Sequence, residues 1–101
     1  MIESVKILGC DYVVTEEDRI SRDSYVYGEV DHVGQTIRIS KELMPQRKAE
    51  TLLHEVVHTI LFALRENDLY DNERFVSSMS ATLLQVLLDN PALLALFGSL
   101  G

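Results

Sequence analysis

The sequence predicts an α+β fold in which a small antiparallel β-sheet from the N-terminal half packs on a helical layer. Two observations carry that expectation. β-Branched and aromatic residues alternate with polar ones as far as Ser40, and from Pro45 onward the apolar residues recur at spacings of three and four. Strands come first and helices second, so both must contribute to one core. At 101 residues the chain is a single domain, 1–101, large enough for one modest core and too small for two.

The first strand is "SVKIL", where Val5 and Ile7 alternate with polar neighbours, and Gly9 marks the turn into "DYVVT", the returning strand of a hairpin. Residues 16–24, "EEDRISRDS", are charged and without period, which reads as an exposed connection. A second antiparallel hairpin is expected from residues 25–30 and 35–40, joined by the turn "DHVG", with Ile37 and Ile39 on one face. Pro45 suits a first helical position, and Leu52, Val56, Val57, Ile60, Leu61 and Leu64 trace the apolar face of a helix of about five to six turns. The polar break "RENDLYDN" ends it. Asp71 or Asn72 caps a second helix, in which Phe75, Val76, Met79, Leu83, Val86 and Leu87 share a face and which "DNP" terminates. A short third helix, "PALLALF", stops at Gly98.

Sixteen acidic residues against nine basic ones give a formal charge of -7, and no local basic patch offsets it, so nucleic acid and anionic membrane surfaces are poor partners. Cys10 is the only cysteine, which excludes an intrachain disulfide and a cysteine-based zinc ribbon. Beside a turn, it is expected to be inert. No basic stretch followed by an apolar signal core is visible at "MIESVKILG", and no uninterrupted apolar run reaches the roughly 18 to 20 residues of a membrane span. A cytoplasmic protein is the expectation.

Within the first helix, "TLLHEVVHTI" places His54, Glu55 and His58 among Leu, Val and Ile. This is the HExxH pattern. Residues four apart lie about 6 Å apart on one helix face, so the two imidazoles can share one metal ion, while Glu55, about 100° round the helix, can act as general base on a water held there. Neutral imidazoles suit Zn²⁺, and a catalytic zinc takes three protein ligands plus water. The third ligand must come from elsewhere. The only other histidine is His32, better read as an exposed turn residue, so the candidates are the carboxylates of Glu66, Asp68, Asp71, Glu73 and Asp89. Glu73 is preferred because a helical projection puts it beside Val76, Ser80, Leu84 and Leu87, at the edge of the apolar face. Asp71 is the reserve. If the first helix ran to Glu66 and reversed in a short loop, Ser77 would stand opposite His58, leaving Glu73 about one turn away. Tyr25, Tyr27, Tyr70 and Arg74 are candidates to stabilise an oxyanion.

Taken with "GEVDHVGQTIRIS" before it and "NERFVSSMSATLLQVLLDNP" after it, the motif helix resembles the small HExxH metallopeptidase-like proteins of bacteriophages and mobile elements, related to the ImmA/IrrE group. The likeness spans residues 27–91. It implies a minimal zincin-like domain in which His54, His58 and Glu73 bind zinc and Glu55 is the base. The ImmA/IrrE group is associated with cleaving or controlling phage-type repressors in longer chains. This chain departs from many HExxH helices by carrying Val57, rather than a small residue, before the second histidine. The activity expected is zinc-dependent hydrolysis of a protein or peptide substrate, held extended along a strand edge such as residues 35–40. The alternative is a noncatalytic zinc-stabilised module that binds a partner protein.

Overall fold

A computed structural model describes residues 2–18, 20 and 27–101. Four strands, β1 (Ser4–Ile7), β2 (Cys10–Glu17), β3 (Gly28–Asp31) and β4 (Thr36–Ser40), precede four helices, α1 (Pro45–Ala63), α2 (Asn67–Tyr70), α3 (Glu73–Asp89) and α4 (Pro91–Gly98). The α+β order read from the sequence is the order observed.

Both hairpins form where expected. Leu8 and Gly9 both take positive φ, 48° and 86°, as a two-residue turn between twisted antiparallel strands requires. At the second turn the Asp31 carboxylate accepts hydrogen bonds from the backbone N–H of Val33 and Gly34, at 3.0 and 3.1 Å, closing the loop on itself. Of the strand expected over residues 25–30, β3 takes in Gly28 to Val30 and runs on to Asp31, Tyr27 lies just before it, and Tyr25 and Val26 lie outside the described residues.

The sheet is mixed rather than antiparallel. Its order is β1-β2-β4-β3, with β2 and β4 parallel in the register Val14↔Ile37 and Glu16↔Ile39. The second hairpin docks through its second strand because that is the apolar one. Ile37 and Ile39 are fully buried between the sheet and α1, whereas β3 has the sequence GEVD and sits better at an edge. β2 also continues to Glu17, beyond the expected end of its strand. Its two glutamates are tolerated in the ladder because Lys48 bonds Glu16 at 2.5 Å and Arg38 pairs with Glu17 at 3.3 Å and with Glu29.

Helix α1 lies between two apolar clusters. On one side Leu52 and Val56 pack against Ile7, Tyr12, Val14, Ile37 and Ile39; on the other Val57 and Leu61 meet Val76 of α3. The helix ends at Ala63, and α2 forms inside the stretch that reads as a plain polar break. Arg65, at φ 59°, reverses the chain between them. Among the described residues no single helix is long and apolar enough to cross a membrane.

The approach of β3 to α1 is set by Gly28. A Cβ built there would stand 2.6 Å from Thr51 Cγ2 and 3.3 Å from Ile39 Cδ1. Gly28→Ala should therefore cost about 1–3 kcal/mol, read from urea unfolding, and adding Thr51→Ala should recover most of it. An unchanged urea midpoint for the single variant would mean that strand and helix separate there without penalty.

Candidate metal centre

His54 and His58 stand one turn apart near the middle of α1, and their Nε2 atoms converge on a single carboxylate. Glu73 Oε1 lies 2.5 Å from His58 Nε2, and Glu73 Oε2 lies 3.1 Å from His54 Nε2. One ligand atom from each of the three residues falls within 4.8 Å of the others, so this cluster can hold a metal ion. The donor set, two imidazole nitrogens and a carboxylate oxygen, suits zinc.

The offset of one turn expected between Glu73 and the histidines is closed by the early end of α1. Because the helix stops at Ala63 and α2 occupies the connection, α3 starts at Glu73 itself. Asn72 caps it, its side-chain oxygen accepting from Phe75 N–H at 3.0 Å. Val76 and Ser80, one and two turns on, are buried, which turns Glu73 towards α1. Asp71, the reserve ligand, is the exposed C-cap of α2 and is not in the cluster, nor are Glu66, Asp68 and Asp89.

Glu55 is 6% exposed, about 100° round the helix from His54 and at the seam between the sheet side and the α3 side of α1. Burial, reinforced by the negative charge of Glu73, pushes its carboxyl up from 4.5 to about 7. Burial also lowers His54, a shift that the nearby Glu73 partly opposes. At neutral pH His54 therefore offers a free lone pair, as metal ligation requires.

His58 is oriented by packing. Its Nδ1 is buried with no hydrogen-bond partner among the described residues, while its ring meets Tyr70 at 4.8 Å and His54 at 4.9 Å between centroids, both edge-on. Tyr70 is itself held by His32. His32 Nε2 lies 2.9 Å from the Tyr70 hydroxyl, Nδ1 lies 3.3 Å from the Tyr12 hydroxyl, and the imidazole stacks on Phe62 at 3.9 Å. Burial, with the neighbouring His58 as a second cause, lowers His32, so a neutral ring accepts from one tyrosine and donates to the other. His32 is thus half-buried at the edge of the centre rather than an exposed turn residue. The sequence did hold one pointer to this: Val30 packs on the core, and His32 has the same strand parity.

A cleft of about 610 Å³ adjoins the centre, lined by His54, Glu55, Glu73 and Ser77 together with Arg47, Glu50 and Thr51 of α1 and Leu43 just before it. Tyr27 and Gly28, at the start of β3, also line it. Of the oxyanion candidates, Tyr27 lines this cleft and Tyr70 lies against His58 with its hydroxyl engaged by His32. Arg74 is exposed and does not line the cleft, and Tyr25 is outside the described residues. Val57, the departure from a small residue before the second histidine, is buried against α3, where its bulk fills the helix interface.

Comparison with known proteins found no protein family, curated protein or solved structure that matches the chain.

Proposed function

We propose that this chain is a zinc-dependent metallopeptidase with a minimal zincin-like domain, related to the ImmA/IrrE group of phage and mobile-element proteins. One observation carries the reading: of a three-residue donor set, His54, His58 and Glu73, two members, His54 and Glu73, line an open cleft together with Glu55. Three protein ligands leave a coordination position free for chemistry, whereas structural zinc sites take four. The rival reading, a noncatalytic zinc-stabilised protein-binding module, needs a fourth ligand, and the cluster among the described residues has three.

Zinc, when bound, supplies a Lewis acid that polarises a carbonyl and makes water acidic near neutral pH. The remaining work falls to side chains. Glu55, with its carboxyl raised to about 7, takes the proton of the attacking water and returns it to the leaving amine. The substrate-holding edge is β3, not residues 35–40: β4 is paired on both sides, while β3 is paired on one side only among the described residues and Gly28 lines the cleft. An extended peptide added there passes the metal ligands.

The test is cleavage of a diverse peptide library. A chelator should abolish it, and Glu55→Gln should lower it by about 10²–10⁴-fold. Robust cleavage by Glu55→Gln would refute the assigned base, and cleavage indifferent to chelator would refute the metal.

A further inference from the structure

Helix α4 and the last turns of α3 form an apolar surface that the described residues leave uncovered. Glu73 meets His54 and His58, and from there α3 runs about 25 Å, while α1 has only about 14 Å to go back from His54 to Pro45. The far end of α3 therefore outreaches its support. Helix α4 then turns 88° away and touches no element but α3 among the described residues. Val86, Leu88, Leu94, Leu96, Phe97 and Leu100 are each between 41% and 80% exposed. At on the order of 100 Å² apiece they present roughly 600 Å² of apolar surface, about the apolar share of the 800 Å² that each partner buries in a standard interface.

We propose that this surface is where a second copy of the chain docks, forming a symmetric dimer. Charge selects that occupant. All nine basic residues and fifteen of the sixteen acidic ones precede Phe75, and Asp89 is the only charged side chain after it. Most of the remaining surface carries the net negative charge and repels its own copy, whereas a two-fold axis through α4 brings together faces with almost nothing to repel. A membrane is the poorer fit, because interfacial helices rely on basic residues that this segment lacks.

Sedimentation equilibrium of the purified chain tests the proposal. The expected result is a mass of twice 11.4 kDa at tens of micromolar, falling to one chain mass on dilution. Phe97→Glu and Leu96→Glu, made separately, should each raise the dissociation constant by about 100-fold or more, since a charge would be buried at the centre of the contact. Their far-UV circular dichroism should match the parent, because both side chains are more than half exposed within one chain. Four results overturn the proposal: a parent chain that stays monomeric at about 100 µM, folded variants that still dimerise, a mass that climbs past two chains, or a monomer that co-sediments with phosphatidylcholine vesicles. The parent measurement decides even if a variant fails to fold.

Discussion

Glu55→Gln is expected to make the metal-free protein more stable, and more so as the pH rises. Burial in the seam between sheet and α3 disfavours the ionised carboxyl, and the charge of Glu73 adds to that, so the folded-state value is about 7 against an ordinary 4.5. Between those values the folded chain binds more protons than the unfolded one, so stability falls as pH rises. The contribution of neutral Glu55 is intact below about 4.5 and is lost through about 7. The shift corresponds to an order of 3 kcal/mol, of which Gln, still a buried polar group, should recover about 1–3 kcal/mol. Urea titrations in the presence of chelator should therefore give nearly equal stabilities for parent and variant at pH 4.5 and a clear advantage to the variant at pH 8. Adding zinc should narrow the gap, because a cation beside Glu55 offsets its charge. A difference that did not change with pH would show that Glu55 is not held in a desolvated, acid-raising site. The histidines cannot mimic the effect: His32 and His54 are lowered by burial, and their stability contribution is lost in the opposite direction, as pH falls below the ordinary 6.5.

If the proposed peptidase reading holds, the same variant should lose about 10²–10⁴-fold in cleavage while gaining stability. That combination marks a residue retained for function rather than for the fold.

What the sequence made legible follows the range of the interaction. Strand parity and helical period are local, so "SVKIL", "DYVVT", the hairpin at "DHVG" and the helices at Pro45, Glu73 and Pro91 could be placed before any contact was known. His54 and His58 are equally local, since one helical turn separates them. Glu73 was reachable because a projection of its own helix puts it on the edge of the face that Val76 and Ser80 bury. Strand pairing was harder. Nothing within five residues of Ile37 says that its neighbour is Val14 in parallel, although the contrast between TIRIS and GEVD shows which strand belongs inside. His32 was hardest of all. Its partners Tyr12, Phe62 and Tyr70 lie 20 or more residues away, and no period connects them.

Glu73→Gln should lower zinc affinity by more than about 100-fold, because losing an outer partner of a ligand already costs 10–100-fold and here a ligand itself is lost. The carboxylate is the one anionic donor in the cluster, and its two oxygens face the two Nε2 atoms at 3.1 and 2.5 Å. Gln keeps the length and one acceptor oxygen but not the charge, so the loss measures the charge rather than the shape. Asp71→Asn is the matched control. It removes one negative charge two residues away, from the exposed cap of α2, and should leave affinity within about threefold, the scale of a screened surface charge. Competition against a chromophoric chelator reads both variants without any substrate. Equal affinities for parent and Glu73→Gln, or a larger loss in Asp71→Asn, would remove Glu73 from the donor set. The two variants at Glu73 and Glu55 should also interact. Glu73→Gln takes away the second cause of the raised Glu55 carboxyl, so in that background the pH-dependent advantage of Glu55→Gln should shrink without vanishing, burial being the larger cause. A full additive advantage would mean that the two carboxylates do not sense each other. The coupling would then have to be sought between His54 and His58 alone.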